Sequence, residues 1–105
     1  MNYVQHMNVL MENFRKDPRL NPTHISLYLS LFRLWNIFRF PQSFYINREE
    51  VMLTAKVGSK ATYHKCIKDL DNWKYISYQP SHNPYKGSRI KMFTLTPLVD
   101  SEPQN

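Results

Sequence analysis

The segment GSKATYHKCIKDLDNWKYISYQPSHNPYKGSRIKMFTL, residues 58–95, decides the predicted fold because a helix pattern is followed in it by two strand patterns. Its first part has apolar residues at the spacing of one helix face: Tyr63, Cys66, Ile67 and Leu70. We predict a helix over 60–73, with Ser59 as its N-cap. Two β-like runs follow, 75–79 and 89–95, separated by residues rich in turn formers. The segment therefore predicts one helix and a hairpin with a long loop.

This segment also carries the net charge of the chain. Between residues 56 and 91 there are eight Lys or Arg and only two Asp, and elsewhere cations and anions are equal in number. The formal net charge of +6 is therefore concentrated on the predicted helix and hairpin. A local basic field indicates the kind of partner rather than the fold, and here it favours an anionic partner.

Upstream, the spacing predicts two helices, a strand and a third helix. Asn21 followed by Pro22 is a typical helix start, and Asn47 followed by Glu50 resembles a capping box. The predicted elements are helices over 3–15, 22–38 and 48–56 and a strand over 44–46. The fold class is therefore α+β, mainly α, with about four helices, a short strand and a two-stranded hairpin.

Length and composition predict a single domain over 1–99, made of the N-terminal helix 3–15 and a core over 21–97, with a disordered tail over 100–105. The single cysteine, Cys66, excludes an intramolecular disulfide and fits a reducing compartment. There is no signal-peptide pattern, and the longest apolar-rich stretch, 25–40, is interrupted by Ser, Asn and Arg. We expect a cytoplasmic protein that does not enter a membrane.

The order of elements resembles that of the winged helix-turn-helix DNA-binding proteins. Residues 58–70 with Tyr75-Ile76 look like the recognition helix and second strand of that family, and 93–97 is similar to its third strand. The resemblance covers about 21–97, and within the family the chain most resembles small regulators and accessory proteins of bacterial mobile elements. Gly58 departs from the family pattern because it lies one place after the usual turn glycine.

The resemblance implies that helix 60–73 lies in the DNA major groove and that hairpin 75–95 acts as the wing. Lysine can reach guanine or phosphate, a small residue permits close approach, and a helix N-terminus favours phosphate. The wing would grip phosphate or the minor groove. The expected DNA-binding residues are Ser59, Lys60, Ala61, Thr62, His64, Lys65, Lys68, Lys86, Arg89 and Lys91.

The predicted function is sequence-specific binding of double-stranded DNA, as a transcriptional regulator or a recombination or replication accessory factor. A protein-interaction module that keeps the fold without binding DNA is the alternative. A third hypothesis is single-stranded nucleic acid or RNA binding through the tyrosines. Because the second helix is apolar on most sides, we also expect a homodimer through this helix and its neighbouring aromatic residues: Trp35, Phe38, Phe40 and Phe44.

No enzyme, cofactor or metal site is expected. His64 and Cys66 point in different directions on a helix, and no second Cys completes a tetrahedral set. With only two glycines there is no phosphate-cradling loop. The remaining polar candidates are expected to be a solvated pair, Asp69 and Asp71, and scattered histidines, His6, His24 and His82.

Overall fold

A computed structural model describes residues 2–83 and 85–95. Over these residues the protein is α+β and mainly helical, with four helices and a three-stranded antiparallel sheet. The elements are α1 (Tyr3–Lys16), α2 (Pro22–Ile37), β1 (Phe44–Ile46), α3 (Arg48–Ala55), α4 (Lys60–Asn72), β2 (Ile76–Gln79) and β3 (Ser88–Met92). The predicted boundaries are confirmed to within one residue, except that β3 ends at Met92 rather than Leu95.

The described residues form two compact units, 2–18 with 94–95 and 19–93. In the first unit the Asn2 side chain accepts a hydrogen bond from the Gln5 amide and caps α1. The Leu95 amide donates to Nδ1 of the buried His6 at 3.1 Å, and burial lowers the pKa of this histidine. The single domain over 1–99 stays a prediction, and residues 96–105, with the predicted tail, lie outside the described residues.

In the second unit α2 begins with a reciprocal cap. The Asn21 side chain accepts from the His24 amide, and the Asn21 amide donates to Nδ1 of His24, both at 3.0 Å. Pro22 occupies the first helical position, where its missing N–H is not needed. The predicted start of α2 is confirmed. The part that His24, the third helical residue, takes in the cap was not predicted.

The polar residues Ser26, Ser30 and Arg33 form a narrow stripe along the otherwise apolar α2, but the two serines are not solvated. Ser30 is buried and donates to the Ser26 carbonyl at 3.0 Å. Ser26 donates to the carbonyl of Ala55, at the end of α3, at 2.8 Å. Of this stripe only Arg33 is exposed. The hydroxyl of Ser30 is therefore satisfied within α2, and that of Ser26 joins α2 to the end of α3.

The sheet has the order β1-β3-β2, so the last strand lies in the middle. Cross-strand partners share a face, and two sets of partners define an inner and an outer face. The inner face carries Phe44, Ile90 and Tyr78 in one row and Met92 and Ile76 in the next. The outer face carries Tyr45, Arg89 and Gln79 in one row and Lys91 and Ser77 in the next. The apolar positions of the inner face are buried, whereas the outer face is polar.

The turn between α3 and α4 uses an unexpected residue. Lys56, not Gly58, has the left-handed conformation, with φ of 63°. Gly58 has no positive φ, and a Cβ there would have no heavy atom within 4 Å. The glycine therefore has no conformational role in this turn. Ser59 then caps α4 by accepting from the Thr62 amide at 3.3 Å, as predicted.

Candidate nucleic-acid interface

Helix α4 has one buried and one exposed face. The predicted core face is confirmed, because its four members are buried: Tyr63, Cys66, Ile67 and Leu70. Desolvation raises the pKa of both Tyr63 and Cys66, so neither is an ionised group at neutral pH. The predicted contact residues on this helix are exposed, except for the half-buried His64: Lys60, Ala61, Thr62, Lys65 and Lys68.

The N-terminal end of α4 lies near the start of α3. Arg48 binds the Glu49 carboxylate at 2.9 Å, and this hydrogen bond is the main cause of a lowered pKa for Glu49. Lys60 also lowers the pKa of Glu49 through its charge. The N-terminal end of α4, with Lys60, therefore has the Glu49 carboxylate nearby. This pair was not predicted, because the apolar residues of α3 indicated only a packing role for this helix.

Asp69 is not the solvated residue that was predicted. Its side chain is only 19% exposed, and its Oδ2 lies 2.9 Å from both Lys65 Nζ and His24 Nε2. Because Nδ1 of His24 accepts from the Asn21 amide, Nε2 carries the hydrogen and donates to Asp69. The hydrogen bond from His24 and then that from Lys65 lower the pKa of Asp69, and Asp69 raises the pKa of Lys65.

This arrangement also corrects the expectation for His24, which is buried and joins the start of α2 to the exposed face of α4. Its ring packs against Trp73 with centroids 4.9 Å apart, and the Arg19 guanidinium lies 4.8 Å from the Trp73 ring centroid. The spacing of Asn21 and His24 was the available signal, since the third helical residue commonly completes a capping box. Its contact with Asp69, 45 residues away, had no local signal.

Asp71 also has a structural role instead of a solvated one. Its Oδ1 accepts from the Tyr78 amide at 3.2 Å, which ties the end of α4 to β2. Tyr78 lies on the inner sheet face with the buried Ile76 and Ile90, and β2 packs against α4. The inner face of the sheet is therefore directed towards α4, and the outer face is directed away from it.

The structure separates the three predicted hairpin cations. Lys86 lies in the hairpin loop, residues 80–87, whereas Arg89 and Lys91 lie on the outer sheet face. All three side chains are exposed. A cleft of about 500 Å³ runs between the hairpin loop and the start of α3, with Lys86, Arg48 and Glu49 among its lining residues.

The predicted dimer residues divide into core and surface. Trp35 and Phe44 are 4% and 7% exposed, so they are core residues and the prediction is wrong for them. Phe38 is 48% exposed, and Phe40 and Ile37 are exposed as well. We call Ile37, Phe38 and Phe40 the α2-end patch. It is the part of the predicted aromatic surface that a partner could reach.

Comparisons with protein-family models, with curated proteins and with solved structures found no match. Over residues 2–83 and 85–95, no group of three or more His, Cys, Asp or Glu side chains could hold a metal ion. No helix in the described part of the chain is long and apolar enough to cross a membrane.

Proposed function

We propose that this protein binds double-stranded DNA sequence-specifically as a winged helix-turn-helix protein of the cytoplasm, with α4 as the recognition helix. Its role would be that of a transcriptional regulator or of a recombination or replication accessory factor of a mobile element. The observation that carries the proposal is the exposed surface of α4, which carries three lysines, Lys60, Lys65 and Lys68, and the small residue Ala61, in the segment that holds the whole net charge.

The dimensions and chemistry of α4 suit the major groove. Its 13 residues give a length of about 20 Å, and the groove of B-DNA, about 12 Å wide, admits one helix. Ala61 lets the helix approach the base edges, and Thr62 and Lys65 lie within the first two turns, where recognition helices contact bases. The Ser59 cap and the helix N-terminus favour a backbone phosphate.

Asp69 has a defined part in this proposal. It holds the Lys65 ammonium by a hydrogen bond, so that the side chain is ordered before DNA arrives. An ordered lysine loses less side-chain entropy on binding than a mobile one. Lys68 and Lys60 then supply phosphate contacts on either side.

The test is a comparison of two double variants that remove the same charge. In Lys65→Ala/Lys68→Ala both changes lie on α4, and in Lys16→Ala/Arg33→Ala both lie elsewhere on exposed helix surface. Duplex binding is measured by fluorescence anisotropy across a salt series. Each lost phosphate contact lowers the slope of log K against log salt by about 0.9, so we expect the α4 variant to lose up to ~1.8 units.

The control double variant should keep the wild-type slope. If the two double variants lose affinity equally, only the net charge matters and α4 is not the interface. If the wild-type protein binds no duplex even at low salt, the proposal fails outright.

The α2-end patch favours a second element of the proposal, a homodimer. Three large apolar side chains that lie close together in sequence are exposed at the end of α2 and just after it, and burial in a partner would remove them from water. A symmetric dimer would bind half-sites roughly 34 to 36 Å apart. The same patch is also what a protein-interaction module without DNA binding would use, and the duplex measurement distinguishes the two functions.

A further inference from the structure

The outer face of the sheet contains a groove that the duplex proposal does not use. One concavity of about 390 Å³ is bordered by Tyr45, Gln79 and Arg89 of the sheet and by Lys86 of the hairpin loop. A smaller concavity of about 50 Å³ continues it between Ser77, Gln79, Arg89 and Lys91. We call the two together the outer-sheet groove. Its size is in the range of sites that bind small ligands or single nucleotides.

The charge of the outer-sheet groove is of one sign. Lys86, Arg89 and Lys91 all line it, and none of the described residues that border either concavity is an Asp or Glu. The cleft on the other side of the hairpin loop differs, because Glu49 lies in its wall. The groove is therefore complementary to an anionic chain rather than to a neutral ligand.

The groove is separated from α4 by the sheet itself. The strand β2 packs against α4, and Arg89 and Lys91 alternate along β3 with the buried Ile90 and Met92, so these two cations point to the opposite face of the sheet. A duplex held by the exposed face of α4 would leave these two cations available. A second anionic segment can thus bind while the first is in place.

The arrangement of side chains fits a single nucleic acid strand. Arg89 and Lys91 are two residues apart on one strand face, about 6.7 Å along β3, a spacing that lets two cations follow successive phosphates. Arg89 donates from Nε to Ser43 Oγ at 3.0 Å, which fixes the guanidinium and uses only one of its five N–H donors. The two cations thus form a short, ordered track for a backbone.

Tyr45 supplies the feature that distinguishes a nucleic acid strand from other polyanions. It is directly opposite Arg89 in the sheet register, is 51% exposed and lies in the wall of the larger concavity. An exposed aromatic ring beside cations is the combination with which proteins bind single strands, because every base has a face that can stack. In a duplex the base faces are already stacked and cannot reach such a ring.

We propose that the outer-sheet groove binds single-stranded nucleic acid, with Lys86, Arg89 and Lys91 contacting phosphates and Tyr45 stacking on a base. Ser77 and Gln79 line the groove and offer hydrogen bonds to base edges or sugar. This inference is independent of the duplex proposal, since it uses a different surface. The protein would then have two surfaces that bind nucleic acid. Two such surfaces are needed to hold a site where a duplex joins an opened single strand.

The experiment measures anisotropy of a labelled 20-nucleotide thymidine oligomer, which has no base pairing, with the full chain. Arg89→Ala/Lys91→Ala should lower the salt slope by up to ~1.4, because a single strand loses about 0.7 per contact. Tyr45→Ala should weaken binding by about 5- to 100-fold, and Tyr45→Phe, which keeps the ring, should restore it. The matched control Lys16→Ala/Arg33→Ala removes the same charge from exposed helix surface elsewhere and should leave oligomer binding unchanged.

Three results would overturn the inference. One is an affinity for the oligomer that is the same in wild type and in Arg89→Ala/Lys91→Ala. Another is full displacement of the oligomer by an unlabelled duplex, which would show that both bind to one shared surface. The third is a Tyr45→Ala variant that binds normally while polyglutamate displaces the oligomer, which would assign the groove to acidic polypeptides. Oligomer binding with the expected dependence, but without any duplex binding, would support this inference and refute the proposed function.

Discussion

The two glycines of the chain form a matched pair of sites for testing the structure, and Gly87→Ala is the informative change. Gly87 has φ of 77°, and an added Cβ would overlap the backbone carbonyl oxygen of Ile46. Gly58 has no positive φ and open space around its Cβ position. The same substitution is therefore strained at the hairpin loop and unstrained at the start of α4.

The expected magnitudes follow from these conformations. An alanine in the left-handed region costs about 1 to 2 kcal/mol, before any displacement of the Ile46 carbonyl. At a compatible position, Gly→Ala stabilises by about 0.4 to 1 kcal/mol because it restricts the unfolded chain. Gly87→Ala should thus be less stable than Gly58→Ala by at least about 1.4 kcal/mol, which in a chain of this length is a difference in Tm of about 6 °C or more.

The assay is thermal and urea unfolding followed by circular dichroism, with both variants and wild type at one pH and salt concentration. We expect Gly58→Ala at or above the wild-type midpoint and Gly87→Ala well below it. Equal midpoints for the two variants would refute the close approach of Gly87 to β1 and the path of the hairpin loop. Gly87→Ala should also weaken contacts made by the neighbouring Lys86, because the loop must shift.

Two further predictions concern the Asp69 contacts and the α2-end patch. Since the pKa of Asp69 is lowered in the folded protein, its stabilisation is present above the unfolded value near 3.9 and is lost as pH falls through the folded value. Thermal melts from pH 7 to pH 3 should therefore show a steeper acid loss for wild type than for Asp69→Asn, and parallel curves would contradict this. Phe38→Ser/Phe40→Ser should shift a dimer to monomer in light scattering, whereas Leu53→Ser, an equally apolar exposed change on α3, should not. A wild-type protein that is strictly monomeric at high concentration would remove the dimer.

Local physical rules were enough to predict the elements of this protein. The caps at Asn21, Asn47 and Ser59 and the helical period of α4 depend on residues within one or two turns, so their signals are contained in short stretches of sequence. For the same reason the core and exposed faces of α4 were assigned correctly. The function predicted from that face stays a proposal.

Residues whose role depends on distant partners could not be predicted in this way. Asp69 and Asp71 have the pattern of solvated helix residues, yet one binds His24 across 45 residues of sequence and the other binds the amide of Tyr78. Trp35 and Phe44 read as surface aromatics but lie in the core, while Phe38, close to both in sequence, remains exposed. No feature of the neighbouring sequence distinguishes the buried aromatic residues from the exposed one.

The sequence by itself determined the order of elements, their capping and the placement of the whole net charge between residues 56 and 91. Tertiary structure alone decided which cations share a surface. It placed β3 between β1 and β2, so that Arg89 and Lys91 point away from α4 and Tyr45 lies beside Arg89. The physical reason is that a strand alternates its side chains between two faces, and only the packing of the sheet on the helices determines which face meets solvent.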